Sequence, residues 1–138
     1  MRRFEIIVST FTVCAIAACS DATAPTPVPH TVQVTATGAF GPSGTVTLTN
    51  VSGANTTLTG NLIGFDANSS HSVAIVNGSC SAPGSTALTL ANIDASSSGQ
   101  ATISSTSVPD DAVTVGHAIV FYASTSSTGA IIACGDMT

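Results

Sequence analysis

The chain has 138 residues, enough for one domain and an N-terminal extension, and it carries a formal net charge of −5. Arg2 and Arg3 are its only Arg or Lys residues, so the chain from Cys19 onward contains six Asp and no Lys or Arg. Such a surface cannot neutralise phosphate groups, which excludes nucleic-acid binding, and its field repels anionic membrane surfaces and does not attract small anions.

A secretory signal peptide is predicted for residues 1–18. Two basic residues precede an apolar run from residue 6 to residue 18, interrupted only by Ser, Thr and Cys, and the run ends in small residues. The run is too short to serve as a membrane-spanning helix. We therefore expect an exported protein.

The end of this signal, Ile16-Ala17-Ala18-Cys19, resembles a bacterial lipobox. In lipoproteins of that kind the signal is cut before the Cys, and the Cys carries the lipid. Cys19 is accordingly the predicted lipidation site, and Ser20 after it favours sorting to the outer membrane, facing either the periplasm or the surface. The alternative is ordinary cleavage nearby, which leaves Cys19 as a spare thiol.

Residues 19–30 are predicted to form a tether between this anchor and the domain. The segment is rich in Pro, Thr and Ala, a composition typical of extended, polyproline-like linkers. Ten such residues reach about 30 Å. The domain itself is assigned to residues 31–138.

The domain is predicted to be all-β. Threonine and apolar residues alternate with period two in several segments, and Gly, Ser, Asn and Pro clusters separate these segments. Eight short strands without helical periodicity predict an antiparallel sandwich or flattened barrel. Phe40, Phe65 and Phe121 are expected in its core. The predicted strands cover residues 31–37, 45–50, 56–63, 71–76, 87–93, 100–105, 117–123 and 130–134.

Two segments carry a family resemblance, His71-Ser-Val-Ala-Ile-Val-Asn-Gly-Ser-Cys80 and Ala133-Cys134-Gly135-Asp136. Together with Gly116-His117-Ala118 they resemble the frame of the copper–zinc superoxide dismutases. The resemblance implies an eight-stranded antiparallel Greek-key β-sandwich with one disulfide. Cys80 and Cys134 are also the two cysteines that remain once the signal is removed and Cys19 is acylated, and an exported compartment is oxidising.

The resemblance also locates the residues that would bind metal. It implies copper ligands at positions 74, 76 and 122 and a zinc ligand at position 89, and residues 81–88 correspond to the histidine-containing metal loop. The chain has no histidine in that loop, and Ile131 takes the place of the anion-guiding Arg. Copper and zinc need nitrogen, sulfur or carboxylate donors. We therefore expect no metal, no other cofactor and no catalysis; the residues at the four ligand positions are Ala74, Val76, Thr89 and Tyr122.

Few other residues suggest chemistry. His71 and His117 occupy places that the resemblance makes structural, and a copper site shared between them is the alternative. His30 is expected to be solvated at the end of the tether, and the Asp110-Asp111 pair is interpreted as a solvated turn. No nucleophile motif is present.

The sequence thus predicts a lipid-anchored, non-catalytic superoxide dismutase-like domain that serves as a binding or structural surface module. Two alternatives stand beside it. One is a dismutase or copper-binding protein with a rebuilt metal site. The other is a self-associating cell-surface component that uses its Thr-rich edge strands. No motif identifies a ligand, a protein partner or an oligomeric state.

Overall fold

The computed structural model describes residues 29–51 and 55–138. The predicted signal peptide, the lipidation site at Cys19 and most of the tether lie outside these residues. Within them, no helix is long and apolar enough to cross a bilayer.

The described part of the domain contains ten strands and one short 3-10 helix. The helix, Asp110–Val113, lies between β8 and β9. The strands are β1 (Pro29–Ala36), β2 (Ser43–Val51), β3 (Asn55–Ile63), β4 (Ser70–His71), β5 (Val73–Ser79), β6 (Ala82–Thr89), β7 (Ile93–Asp94), β8 (Gln100–Pro109), β9 (His117–Tyr122) and β10 (Ile131–Asp136).

Eight of the strands form one antiparallel curled sheet, and this confirms the predicted fold class. Their order is β6-β5-β9-β10-β1-β2-β3-β8, while β4 and β7 pair separately. Strands β1, β2 and β3 follow each other as a meander, but β9 and β10 lie between β1 and β5. The chain therefore crosses from one half of the sheet to the other more than once.

The Thr-rich strands bury one face only. Val32 and Val34 of β1 and Val46 and Leu48 of β2 point into the main core, and the polar residues between them are exposed or half-buried. Alternation of this kind is expected of a sheet with one solvated face. β-branched Thr keeps a strand preference while remaining in contact with water.

Strands β5 and β9 are buried on both faces instead. Val73 and Ile75 of β5 and Ile119 and Phe121 of β9 belong to the main core. The alternate residues of both strands belong to a second apolar cluster on the opposite face of the sheet, which we call the outer cluster. Its buried members are Ala74, Val76, Ala118, Val120, Tyr122 and Cys134, with Cys80 and Ile131 packed against them.

The predicted disulfide between Cys80 and Cys134 is confirmed. The Cα atoms lie 5.6 Å apart, and the bond joins residues 54 positions apart in the chain. Because β9 lies between β5 and β10, the bond ties the end of β5 to β10 across their common neighbour. Closing a loop of this length stabilises a domain by about 4 kcal/mol in the chain-entropy model.

Three local expectations are wrong. Phe40 is not in the core but 98% exposed, because it lies in the loop between β1 and β2. The segment taken for a shortened metal loop is strand β6, which pairs with β5 over residues 82–89. The strand predicted over residues 71–76 is divided into β4 and β5. In addition, β1 begins at Pro29, so the last two residues of the predicted tether belong to the sheet.

Gly60 of β3 lies where the backbones of β2 and β3 approach closely. It pairs in register with Val46 of β2, and the irregularity in β3 lies between Thr56 and Leu58. A Cβ atom at position 60 would lie 2.5 Å from the carbonyl oxygen of Thr45. Only glycine fits at this point of the sheet.

Candidate functional site

Three of the four positions that the resemblance assigns to metal ligands meet on one face of the sheet. Ala74 and Val76 alternate along β5, and Tyr122 ends β9. All three belong to the outer cluster. Thr89 pairs in register with Ala74 at the end of β6, but its side chain is exposed. The strand framework thus brings these positions together as the resemblance implies.

The side chains at these positions do not fit copper or zinc. Ala74 and Val76 are 0% and 1% exposed and offer only methyl groups, and the phenol of Tyr122 is the only polar group that the three supply. Copper and zinc sites need several nitrogen, sulfur or carboxylate donors that converge on one point. Packed apolar side chains occupy this point in the described structure. No step of metal chemistry can be assigned to it.

His71 forms a buried link between β4 and the end of β9. Its side chain is 4% exposed. Nδ1–H donates to the backbone carbonyl of Tyr122 at 2.8 Å, and Nε2 lies 2.7 Å from the hydroxyl of Ser69. The ring also packs against Phe65, with centroids 4.7 Å apart. Both ring nitrogens are therefore engaged in holding the fold, and neither is free to bind a metal.

The other two histidines lie elsewhere. His117 begins β9 and its Nδ1 is 3.2 Å from the carbonyl oxygen of Thr114. Since His71 bonds to the last residue of β9, the two rings lie at opposite ends of this strand, roughly 17 Å apart along it. His30 is exposed on β1. The structure does not bring His71 and His117 together as a shared copper site would require.

The acidic pair Asp110-Asp111 forms the first turn of the 3-10 helix and has a structural contact that the turn interpretation did not include. The carboxylate of Asp110 accepts hydrogen bonds from Nδ2 of Asn50 at 2.9 Å and from the hydroxyl of Thr56 at 2.8 Å. The bonds tie the helix to β2 and β3. Asp111 is exposed.

Asp136 was not singled out from the sequence, yet it lies beside the disulfide. Its Oδ1 accepts a hydrogen bond from the backbone N–H of Cys80 at 2.6 Å. Ligand atoms of Cys80, Cys134 and Asp136 all lie within 4.8 Å of one another. The sequence spacing could have indicated that Cys134 and Asp136 lie together, because residues two apart in a strand project from the same face.

Replacing His71 tests its structural role. His71→Ala leaves the carbonyl of Tyr122 buried without its donor and opens a cavity beside Phe65, so we expect a loss of about 3 kcal/mol in the free energy of unfolding. His117→Ala, at a half-exposed position, is the control and should cost less than about 0.5 kcal/mol. Urea unfolding measures both. Equal effects of the two substitutions would contradict the assignment.

Solved structures provide the comparisons that bear on this chain. It is similar to a SOD-like protein from Bacillus subtilis, with 15% identity and a TM-score of 0.64 over 79% of this chain and 98% of that one. It is also similar to the clock protein EA4, with 14% identity and a TM-score of 0.58 over 81% and 94% of the two chains. No protein-family model and no curated protein sequence matches. The domain therefore has the copper–zinc superoxide dismutase-like fold.

Proposed function

We propose that the protein is an exported, lipid-anchored envelope protein whose superoxide dismutase-like domain is non-catalytic and serves as a binding or structural surface module. The anchor is Cys19, and the tether, residues 19–28, carries the domain away from the lipid. The domain offers a disulfide-bonded sheet with Thr-, Ser- and Asn-rich outer surfaces. No metal participates at the positions of the family's copper and zinc ligands.

One observation carries this proposal, the packing of the outer cluster. Catalytic metal sites keep an open coordination position and a path for the substrate. Here Ala74, Val76 and Tyr122 pack with Cys134 and are almost completely buried. Buried methyl groups stabilise the sheet, whereas unliganded imidazoles in the same places would be polar groups in need of partners.

The charge distribution supports the same proposal. Superoxide is a small anion, and an enzyme that uses it gains rate from a positive field at its site. From Cys19 onward the chain has no Lys or Arg, and Ile131 stands where the resemblance places the guiding Arg. Five Asp lie within the described residues. The field of this domain opposes the approach of an anion.

Metal loading tests the non-catalytic assignment. The purified chain is incubated with copper and zinc, desalted, and assayed for bound metal and for superoxide dismutation beside an active copper–zinc enzyme. We expect no stoichiometric copper and no activity above the buffer background, because the ligand positions lack donors. One tightly held copper per chain, with activity lost in His71→Ala or His117→Ala, would instead establish a rebuilt site.

Cysteine replacement tests the anchor. Cys19→Ala should abolish incorporation of labelled fatty acid and remove the protein from the outer-membrane fraction, because the acyl chains supply the membrane affinity. Cys14→Ala, inside the predicted signal, is the matched control and should leave both properties unchanged. Labelling that persists in Cys19→Ala would place the lipid on another residue, and a parent chain that incorporates no labelled fatty acid would indicate ordinary cleavage.

A second candidate function, self-association at the surface, is favoured by strand β8. This ten-residue strand ends the sheet and contains no charged residue. The carbonyl of Gln100 accepts a hydrogen bond from the N–H of Ser96, on the side of β8 that faces away from β3. Because backbone groups alternate in direction along a strand, the N–H and C=O groups of Thr102 and Ser104 point to this same side. No strand of the described residues pairs with that side. Free, uncharged edges favour pairing with another chain.

Sedimentation equilibrium tests this candidate function because it measures the mass of the particle in solution. If two copies pair through β8, the apparent mass should rise with protein concentration, and Thr102→Lys should shift the equilibrium toward monomer by placing a charge at the edge. Thr45→Lys is the control, since Thr45 is exposed on β2, a strand that is paired on both sides. A monomer at every concentration would eliminate this candidate, and equal effects of both substitutions would assign the contact to another surface.

A further inference from the structure

We propose that Cys80, Cys134 and Asp136 form a binding site for a zinc-like divalent cation when the disulfide is reduced. In the oxidised protein the two sulfurs are bonded to each other and the site is closed. A dithiol reductant opens it. The site uses none of the positions at which the resemblance implies metal ligands.

The geometry places three metal-binding groups together before any cation is present. The two sulfur atoms and a carboxylate oxygen of Asp136 all lie within 4.8 Å of one another. The hydrogen bond from Cys80 N–H holds that carboxylate beside the disulfide. Cys134 and Asp136 project from the same face of β10, and Cys80 is fixed at the end of β5. Three ligand groups on a preformed sheet need little rearrangement to meet one ion.

The site is open to solvent on one side. A surface concavity of about 320 Å³ has Cys80, Cys134 and Asp136 in its lining, together with residues of β1. Cys134 is 3% exposed, Cys80 is half-buried and Asp136 is exposed, so the carboxylate lies toward the solvent and one sulfur lies deep. An ion can therefore enter through the concavity, and a water molecule can supply a fourth ligand.

The chemistry balances in two steps. A dithiol gives two electrons and two protons to the Cys80–Cys134 bond, which breaks into two thiols while the dithiol becomes a disulfide. A divalent cation then displaces the two thiol protons and forms two metal–sulfur bonds, and the carboxylate of Asp136 supplies the third. With Zn–S bonds of about 2.3 Å in tetrahedral geometry, the two sulfurs lie roughly 3.8 Å apart, so they separate once the bond between them is broken.

The ligand set selects the class of cation. Two thiolates favour zinc and other thiophilic ions over Ca²⁺ and Mg²⁺, which prefer oxygen. The charge of the chain acts in the same direction. Two thiolates and a carboxylate make three negative charges, and from Cys19 onward no Lys or Arg can neutralise them. Only protons or an added cation can do so.

Zinc titration of the full chain tests the proposal. Cys14→Ser and Cys19→Ser leave Cys80 and Cys134 as the only thiols. After reduction with a dithiol and its removal under argon, equilibrium dialysis should find one Zn²⁺ per chain, and bound Zn²⁺ should protect both thiols from alkylation. The oxidised chain should bind none. Asp136→Asn keeps an acceptor for Cys80 N–H but removes the charge, and should weaken binding about tenfold or more. Asp94→Asn, at an exposed carboxylate on β7, should leave it unchanged.

Reduction can also unfold the chain, and this case is covered by a second measurement. Zinc that binds the folded site stabilises the fold, so adding Zn²⁺ to the reduced chain should raise its melting temperature or restore its β-sheet circular dichroism. The proposal is overturned if the reduced chain binds no zinc, if Asp136→Asn binds as well as the parent, or if the urea-unfolded chain binds as tightly as the folded one.

Discussion

The burial of β5 and β9 on both faces is the constraint on which the rest of the structure depends. Threonine side chains on β1 and β2 are exposed to solvent on the outer face of the sheet, whereas the outward-facing residues of β5 and β9 are buried. These outward-facing residues pack together in the outer cluster. The Cys80–Cys134 bond lies within this cluster and ties β5 to β10 across β9. Strands β5, β9 and β10 thus contribute apolar side chains to the main core on one face and to the outer cluster on the other.

This constraint links the stability of the sheet to the kinds of side chain that its outer face can hold. A metal site on the outer face would require polar donors at Ala74, Val76 and Tyr122, and buried donors are stable only with a partner such as a metal. Apolar residues remove that dependence, and each buried methylene contributes about 0.8 kcal/mol. His71 remains polar because its two ring nitrogens have partners within the protein. The apolar residues of the outer cluster and the bonded His71 follow the same rule, which is that a buried polar group needs a partner.

Much of the fold could be predicted from the sequence, since β1 to β3 alternate Thr with Val or Leu. The cysteine pairing was implied by the resemblance and by the expected removal of Cys14 and acylation of Cys19. Strand β6 could not, because seven of its eight residues are exposed and it lies at an edge, so no periodic signal arises. Phe40 was misplaced because residue type alone does not distinguish a loop from a strand. The positions that the resemblance assigns to metal ligands could be named from the sequence. The burial of Ala74, Val76 and Tyr122 beside the disulfide depends on pairing between strands that are distant in sequence.

A domain without Lys or Arg must satisfy its carboxylates with neutral donors, and several Asp show how. Asp110 accepts from Asn50 and Thr56, Asp94 from Ser70, and Asp136 from the backbone of Cys80. Such bonds give the carboxylate oxygens partners without cancelling their charge. Asp136 differs from the others because its neighbours are two sulfurs that are neutral only while bonded or protonated. Reduction places two thiols beside this carboxylate, and thiols can give up their protons to a divalent cation. No other carboxylate among the described residues belongs to such a group of three ligands.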